Sequence, residues 1–235
     1  LSALIVSTTA AGFLAAGPVG GDFCTLVSVL AGTALCSSSA AAYNQIWERD
    51  RDARMKRTQL RPLVTGALSV SQATAAATLW GISGTSLLYF GTDTVTCSLG
   101  FSNIVLYSGL YTLLKPISVT NTWVGAVVGA IPPVMGYSAA TAGLSVADPT
   151  IALSLGSILY LWQLPHFLAL SYMYKNDYAR GGFQMLPSVE NGTHLTAQTI
   201  VRYSWYLTAV PLATTLLDIT HSMFALERLL LNGYV

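Results

Sequence analysis

The 235-residue sequence is 53% hydrophobic and 9% charged, and its mean hydropathy is +0.56. A soluble globular domain carries about 25% charged residues, so this composition excludes an ordinary soluble fold and indicates an integral membrane protein. The formal net charge of +1 says little, because the information lies in how the charges are distributed; no nucleic-acid partner is expected.

Apolar runs recur along the chain at lengths that can cross a bilayer, for which a helix needs about 20 residues. In chain order, the predicted spans are 1–17, 23–43, 70–90, 94–114, 119–140, 150–172 and 198–218, and an eighth begins near 223. This pattern predicts an all-α, polytopic transmembrane bundle that forms a single domain over 1–235. The sequence opens inside an apolar run without Met and ends inside another, so we expect the bundle to be incomplete at both ends, with C-terminal spans truncated.

The charges in the connecting loops alternate between basic and acidic. The loops after spans two, four and six carry 49–61, Lys115, and Lys175 with Arg180, whereas those after spans one, three and five carry only Asp22, Asp93 and Asp148. Basic loops face the cytoplasm or the mitochondrial matrix. The three basic loops are therefore predicted to form one site at one mouth of the bundle.

Nine of the 21 charged residues lie between 43 and 61. Within this stretch, Asn44, Glu48 and Asp52 are spaced i, i+4, i+8, so a helix would place them on one stripe. Mg²⁺ prefers hard oxygen ligands and takes one or two carboxylates together with substrate phosphates. These residues are predicted metal ligands; the alternative is a solvated loop with local salt bridges.

The rest of that stretch is dominated by arginine. Asp50 lies off the stripe and is predicted to pair with Arg54. Arg57 and Arg61 form another i, i+4 pair, and Pro62 predicts that the helix ends at Arg61. Two guanidinium groups near a metal suit a diphosphate, although juxtamembrane arginines also simply follow the positive-inside rule.

Two later segments supply further candidates. Asp177 is the sole carboxylate between 172 and 187, in the loop after span six, and is flanked by Lys175 and Arg180; it is either a fourth metal ligand or part of an ordinary surface turn. Tyr111 and Lys115 share a face at the end of span four. They are candidates for the site, or else an interfacial aromatic with a snorkelling lysine.

Span six contains an intramembrane imidazole. Pro165 removes a helical hydrogen bond and predicts a kink, and His166 follows it directly. His166 is either a ligand-contacting residue or a hydrogen-bonded core residue.

Taken together, these motifs resemble the UbiA superfamily of intramembrane prenyltransferases, and within it the mitochondrial-type branch that acts on protohaem. The resemblance covers the chain to about residue 190. It rests on the motifs within 44–63, Asn121 to Gly125, Gly129 to Pro133, Trp162 to Phe167, and Asp177 to Gly182. Gln45 and Glu48 stand where the general superfamily has aspartates, as in the haem-acting branch.

The resemblance implies an enzyme that transfers the farnesyl group of farnesyl diphosphate to a vinyl group of haem b, giving haem O on the way to haem A. It implies Mg²⁺ held by Asn44, Glu48, Asp52 and Asp177, with Lys115, Arg57 and Arg61 on the diphosphate. His166 would contact the iron or a propionate of haem, and Tyr111, Trp162, Lys175 and Arg180 would complete the substrate-binding set. The implied location is the mitochondrial inner membrane, or else a bacterial plasma membrane, with haem A synthase or oxidase-assembly proteins as partners.

Three alternatives stay open. A UbiA-type enzyme could prenylate a quinone precursor or another aromatic or tetrapyrrole acceptor, although Glu48 and the segment from Trp162 to Phe167 argue against it. A transporter or channel with a divalent-ion site would place ionisable residues at mid-membrane in several spans, whereas here they gather at one face. A non-catalytic haem-binding or assembly membrane protein is the third.

Overall fold

The computed structural model describes residues 2–17, 21–144 and 149–216, and within these ranges the regular structure is helical. In chain order the elements are α1 (Ser2–Leu14), α2 (Phe23–Asp52), α3 (Pro62–Thr65), α4 (Val70–Gly91), α5 (Thr94–Leu114), α6 (Asn121–Ala140), α7 (Pro149–Met173), α8 (Lys175–Gly181), a 3-10 turn (Leu186–Ser188) and α9 (Gly192–Leu216). The predicted all-α bundle is confirmed. Each predicted span as far as 216 coincides with a helix, and α2, α5, α6 and α7 are long and apolar enough to cross a membrane. The predicted eighth span and Asp148 lie outside the described residues.

Local sequence chemistry explains where several helices begin. Asp22 and Asp93 are N-caps of α2 and α5, and each accepts a backbone N–H of its first turn. Ser69 and Gln72 form a capping box at the start of α4. Carboxylates are favourable at helix N-termini because they satisfy free N–H groups and oppose the helix dipole. Asp22 and Asp93, two of the loop acids of the predicted far side, are therefore helix caps.

Small residues allow helices α1 and α6 to pack backbone against backbone. A Cβ added to Gly12 would collide with the carbonyl of Pro133, and one added to Gly136 would collide with the carbonyl of Thr9. Close approach through small residues is typical of membrane helices. The hydrophobic core lies beside this contact, around the buried residues Val29, Cys36, Leu88 and Met135.

Helix α2 runs beyond the predicted span, so that the charged stripe continues the transmembrane helix. The prediction that helical structure reaches Arg61 is wrong, because α2 ends at Asp52 and the chain then folds back in a series of turns. The Thr58 hydroxyl donates to the carbonyl of Asp52 at 2.9 Å. Met55 is 2% exposed because it packs on Phe183 and Met185. The burial of Met55 against these residues thus ends the helix earlier than the spacing of Arg57 and Arg61 predicted.

Helix α5 contains a π-helical segment over Leu106–Tyr111. The Thr112 hydroxyl donates to the carbonyl of Tyr107, five residues earlier, at 2.7 Å. Such π-segments recur at functional sites. Here the segment lies directly before Thr112 and Lys115, whose side chains contact Asn44 and Glu48 at the mouth of the bundle.

Candidate functional site

The three basic loops meet at one end of the bundle, as the charge pattern predicted. Lys115 Nζ lies 2.8 Å from Glu48 Oε1, and the carbonyl of Lys115 accepts the N–H of Gln184 at 2.7 Å. Asp177 accepts the N–H of Lys56 at 2.9 Å. These contacts join the segments after α2, α5 and α7 into one mouth.

Asn44, Glu48 and Asp52 lie buried along the last turns of α2, with exposed fractions of 5%, 5% and 1%. Asn44 Nδ2 donates to the Thr112 hydroxyl at 2.8 Å, which leaves its amide oxygen for a ligand. Carboxylates are almost never buried to this degree unless they are paired or bind a metal. The alternative of a solvated charged loop is therefore wrong for these three residues.

Each buried carboxylate has one cationic partner. Lys115 pairs with Glu48, and Arg61 Nη1 lies 2.5 Å from Asp52 Oδ2. Asp52 Oδ1 is buried without a hydrogen-bond partner among the described residues, and the contact of Lys115 with Glu48 is an ion pair without hydrogen-bond geometry. A buried carboxylate oxygen without a partner is unfavourable by about 1–3 kcal/mol or more. Asp52 Oδ1 is therefore available to coordinate a ligand.

This donor set fits a hard divalent cation. Asn44, Glu48 and Asp52 offer oxygen ligands, and Asp52 Oδ1 has no competing partner. No group of three or more His, Cys, Asp or Glu side chains in the described part of the chain is close enough to hold a metal unaided. The remaining ligands would therefore be the Asn44 oxygen, water and substrate oxygens, as is usual for Mg²⁺.

The structure does not bring Asp177 into this cluster. Its two carboxylate oxygens accept the backbone N–H groups of Lys56 and Arg57, at 2.9 and 3.3 Å, and Arg180 lies 3.5 Å away. Here Asp177 joins the turn after α2 to helix α8.

Burial by itself would raise the pKa of Asp177. The two backbone hydrogen bonds and the positive charges of Arg180 and Arg57 outweigh burial, so its pKa falls below the ordinary 3.8. A lowered pKa means that this stabilisation is fully present above about pH 4 and is lost as the pH falls through the lowered value.

Arg57 faces α8 rather than the stripe. Its guanidinium lies 5.2 Å from the ring centre of Tyr174 and 5.3 Å from that of Tyr178, and it donates to the Tyr178 hydroxyl. Arg51, which the sequence did not single out, donates to the carbonyls of Gly181 and Gly182. Both arginines therefore tie the two loops together.

The pairings of the neighbouring charges differ in part from the predictions. Asp50 pairs with Arg49 at 3.5 Å, and Arg54 donates to the backbone carbonyl of Asp50, so the predicted side-chain pair of Asp50 and Arg54 is wrong. Both residues lie on the exposed side of the helix end. Lys115 Nζ lies 4.4 Å from the Tyr111 ring centre, which confirms that these two side chains share a face.

Three further candidates lie around α7 and α8. Lys175 lies over the Tyr172 ring at 5.0 Å. Trp162 and His166 are both exposed and stack on each other, with ring centres 5.1 Å apart and planes 11° apart. The alternative that His166 is a buried core residue is therefore wrong.

An apolar cavity of about 160 Å³ lies among α1, α2, α5, α6 and α7. Ala40 and Ala41 line it one turn before Asn44, so it lies next to the acidic stripe along α2. Gln163 and Phe167, rather than His166, form the α7 wall. An ionic mouth above an apolar chamber suits a substrate with an anionic head and a hydrocarbon tail.

A buried carboxylate and amide stripe at the mouth of an apolar helix bundle has the chemistry to hold a metal and an amphipathic anion. The family model for the UbiA prenyltransferase family matches residues 5–234, and the chain belongs to that family.

Relatives and solved structures agree with this assignment. The chain is 46% identical over its whole length to "Protoheme IX farnesyltransferase, mitochondrial" of Homo sapiens, of which it covers 52%. It thus spans about half the length of the curated relatives it matches. The fold is similar to a UbiA homolog from Aeropyrum pernix K1, with a TM-score of 0.77 at 18% identity over 99% of this chain and 87% of that one. A UbiA homolog from Archaeoglobus fulgidus bound to DMAPP and Mg²⁺ gives 0.73 at 16% identity over 99% and 81%.

Proposed function

We propose that this chain transfers the farnesyl group of farnesyl diphosphate to a vinyl group of haem b, giving haem O. The observation that carries the proposal is the buried stripe of Asn44, Glu48 and Asp52 next to an apolar cavity. The similarity to protohaem farnesyltransferases supports the choice of substrates. We place the protein in the mitochondrial inner membrane, with the ionic mouth on the matrix side.

Asn44, Glu48 and Asp52 would hold Mg²⁺, and the UbiA homolog from Archaeoglobus fulgidus that contains DMAPP and Mg²⁺ supports a cation of this kind. When bound, the cation would stabilise the negative charge that develops on diphosphate as it leaves. Lys115 and Arg61 already lie at these carboxylates, and each can turn to donate charge-assisted hydrogen bonds to diphosphate oxygens.

The apolar cavity would hold the farnesyl chain next to the stripe and exclude water from the reacting carbon. The allylic C–O bond breaks and its electron pair leaves with diphosphate. The vinyl π electrons form the new C–C bond, and water adds to the resulting cation with loss of a proton. The product is a hydroxyfarnesylethyl side chain.

Incubation of the purified membrane protein with haem b, farnesyl diphosphate and Mg²⁺, followed by mass spectrometry of the haem, tests the proposal. We expect the haem mass to rise by one farnesyl group and one hydroxyl group, since the water that adds to the cation loses one proton. The product should be lost with EDTA. Unmodified haem under conditions in which both substrates bind would refute the proposal. Transfer to a quinone precursor in place of haem would favour the other acceptor class.

A further inference from the structure

A second pocket, of about 380 Å³, lies at the surface of the mouth, outside the acidic stripe. Lys56, Arg57 and Arg180 contribute its cationic side chains, and Met173 and Tyr174 form its apolar and aromatic side. It lies where the turn after α2 meets the junction of α7 and α8.

The pocket carries an excess of positive charge. Three cationic side chains face one carboxylate, that of Asp177, whose oxygens already accept the N–H groups of Lys56 and Arg57. Lys56 is exposed and has no acidic partner within 4 Å among the described residues. Arg57 is held in place by the Tyr174 and Tyr178 rings. Two positive charges are left in excess, which suits a ligand with two carboxylates.

An exposed face of α7 ends at this pocket. Trp162, His166 and Met173 are separated by four and seven residues and so share one helix face. Trp162 and Met173 are 50% and 71% exposed. From His166 to Met173 the helix rises about 10 Å, at 1.5 Å per residue. This face offers an imidazole, a stacked indole and a thioether, which suit a planar ring with a metal at its centre.

We infer that the pocket of Lys56, Arg57 and Arg180 binds the two propionate carboxylates of the tetrapyrrole acceptor, whose ring lies along the Trp162 face of α7. The inference rests on the proposed function. Charged carboxylates are unfavourable in hydrocarbon and stay at the polar mouth. The vinyl groups lie on the opposite edge of the ring. Lys56 follows Asp52, the last residue of the stripe, by four residues, so an acceptor held at Lys56 lies at the mouth beside the end of the stripe.

The test uses protohaem and its dimethyl ester, which keeps the ring, the iron and the vinyl groups but lacks both carboxylates. The whole protein in neutral detergent is titrated with each, and binding is followed at the Soret band. The variant is Lys56→Met combined with Arg180→Met. The matched control is Arg54→Met, because Arg54 is an exposed cation of the same turn that does not line the pocket.

Wild type should bind protohaem at least about tenfold more tightly than the diester, as expected for loss of charged hydrogen bonds. The double variant should lose about tenfold or more in protohaem affinity and little in diester affinity. Arg54→Met should behave as wild type. Unchanged farnesyl diphosphate binding and thermal midpoint in the double variant would show that it is folded.

Equal affinity of wild type for protohaem and diester would overturn the inference, as would equal losses for both ligands in the double variant. The double variant could instead bind protohaem as wild type does in neutral detergent and lose affinity only in vesicles that contain anionic phospholipid. That result would assign the pocket to lipid headgroups and overturn the inference. Turnover separates this inference from the proposed function. Farnesylation of protohaem and diester at the same KM would show that the pocket does not contact the carboxylates. The proposed transferase activity would then still hold.

Discussion

Removal of the Lys115 ammonium is the sharpest probe of the mouth. Lys115 Nζ lies 2.8 Å from Glu48 Oε1, and the side chains are only 11% and 6% exposed. Breaking a buried ion pair from one side leaves an uncompensated charge and is unfavourable by about 3–5 kcal/mol. We expect Lys115→Met to lie near the lower figure, because methionine retains most of the apolar stem of lysine.

This magnitude converts to a measurable shift. For a chain of this size, 1 kcal/mol corresponds to about 2–4 °C, so about 3 kcal/mol should lower the thermal midpoint by roughly 6–12 °C. The double variant Glu48→Gln with Lys115→Met should recover most of the loss, because no buried charge is left unpaired. Thermal unfolding of the purified protein in detergent gives all three values. Lys175→Met is the matched control, since Lys175 contacts an aromatic ring and no carboxylate.

A divalent cation should replace the missing ammonium. In wild type, Lys115 competes with the cation for Glu48, whereas in Lys115→Met the carboxylate is free to bind it. Added Mg²⁺ should therefore raise the midpoint of Lys115→Met more than that of wild type, because a ligand stabilises the state that it binds. A wild-type midpoint for Lys115→Met, or equal stabilisation of every variant by Mg²⁺, would refute the assignment of the stripe.

The other predictions concern turnover, topology and haem. Asp52→Asn should abolish most turnover, whereas Asp50→Asn should be mild because the Asp50 side chain is 89% exposed and lies off the stripe; equal rates in a product assay would contradict this. Single cysteines at Arg54 and Asp93 should be labelled from opposite sides of sealed vesicles, and labelling from the same side would refute the orientation. His166→Ala should shift the Soret band of bound haem with little change in thermal midpoint, because His166 is exposed. An unchanged band with wild-type haem affinity would remove His166 from the site.

Patterns that depend on the bilayer were predictable from the sequence. The spans follow from the length of apolar runs, since backbone polar groups in hydrocarbon must be satisfied within a helix. The common mouth follows from the alternation of charged loops. The stripe of Asn44, Glu48 and Asp52 follows from helical spacing once α2 is known to extend to Asp52.

Contacts between distant segments were not predictable. The sequence carries no sign that Lys115 pairs with Glu48, that Asp177 accepts the backbone of the turn after α2, or that Arg51 reaches the carbonyl of Gly182. The π-helical segment of α5 and the exposed position of His166 also had no local signal.

The sequence by itself determined that this protein is a bundle of membrane helices with an acidic and arginine-rich mouth, because hydropathy and helical periodicity act over neighbouring residues. Only the tertiary structure decided which cation meets which carboxylate, and it separated Asp177 from the stripe to which the sequence had assigned it. The physical reason is that a buried charge pairs with whichever partner the packed helices bring within reach, and that partner can lie more than a hundred residues away along the chain.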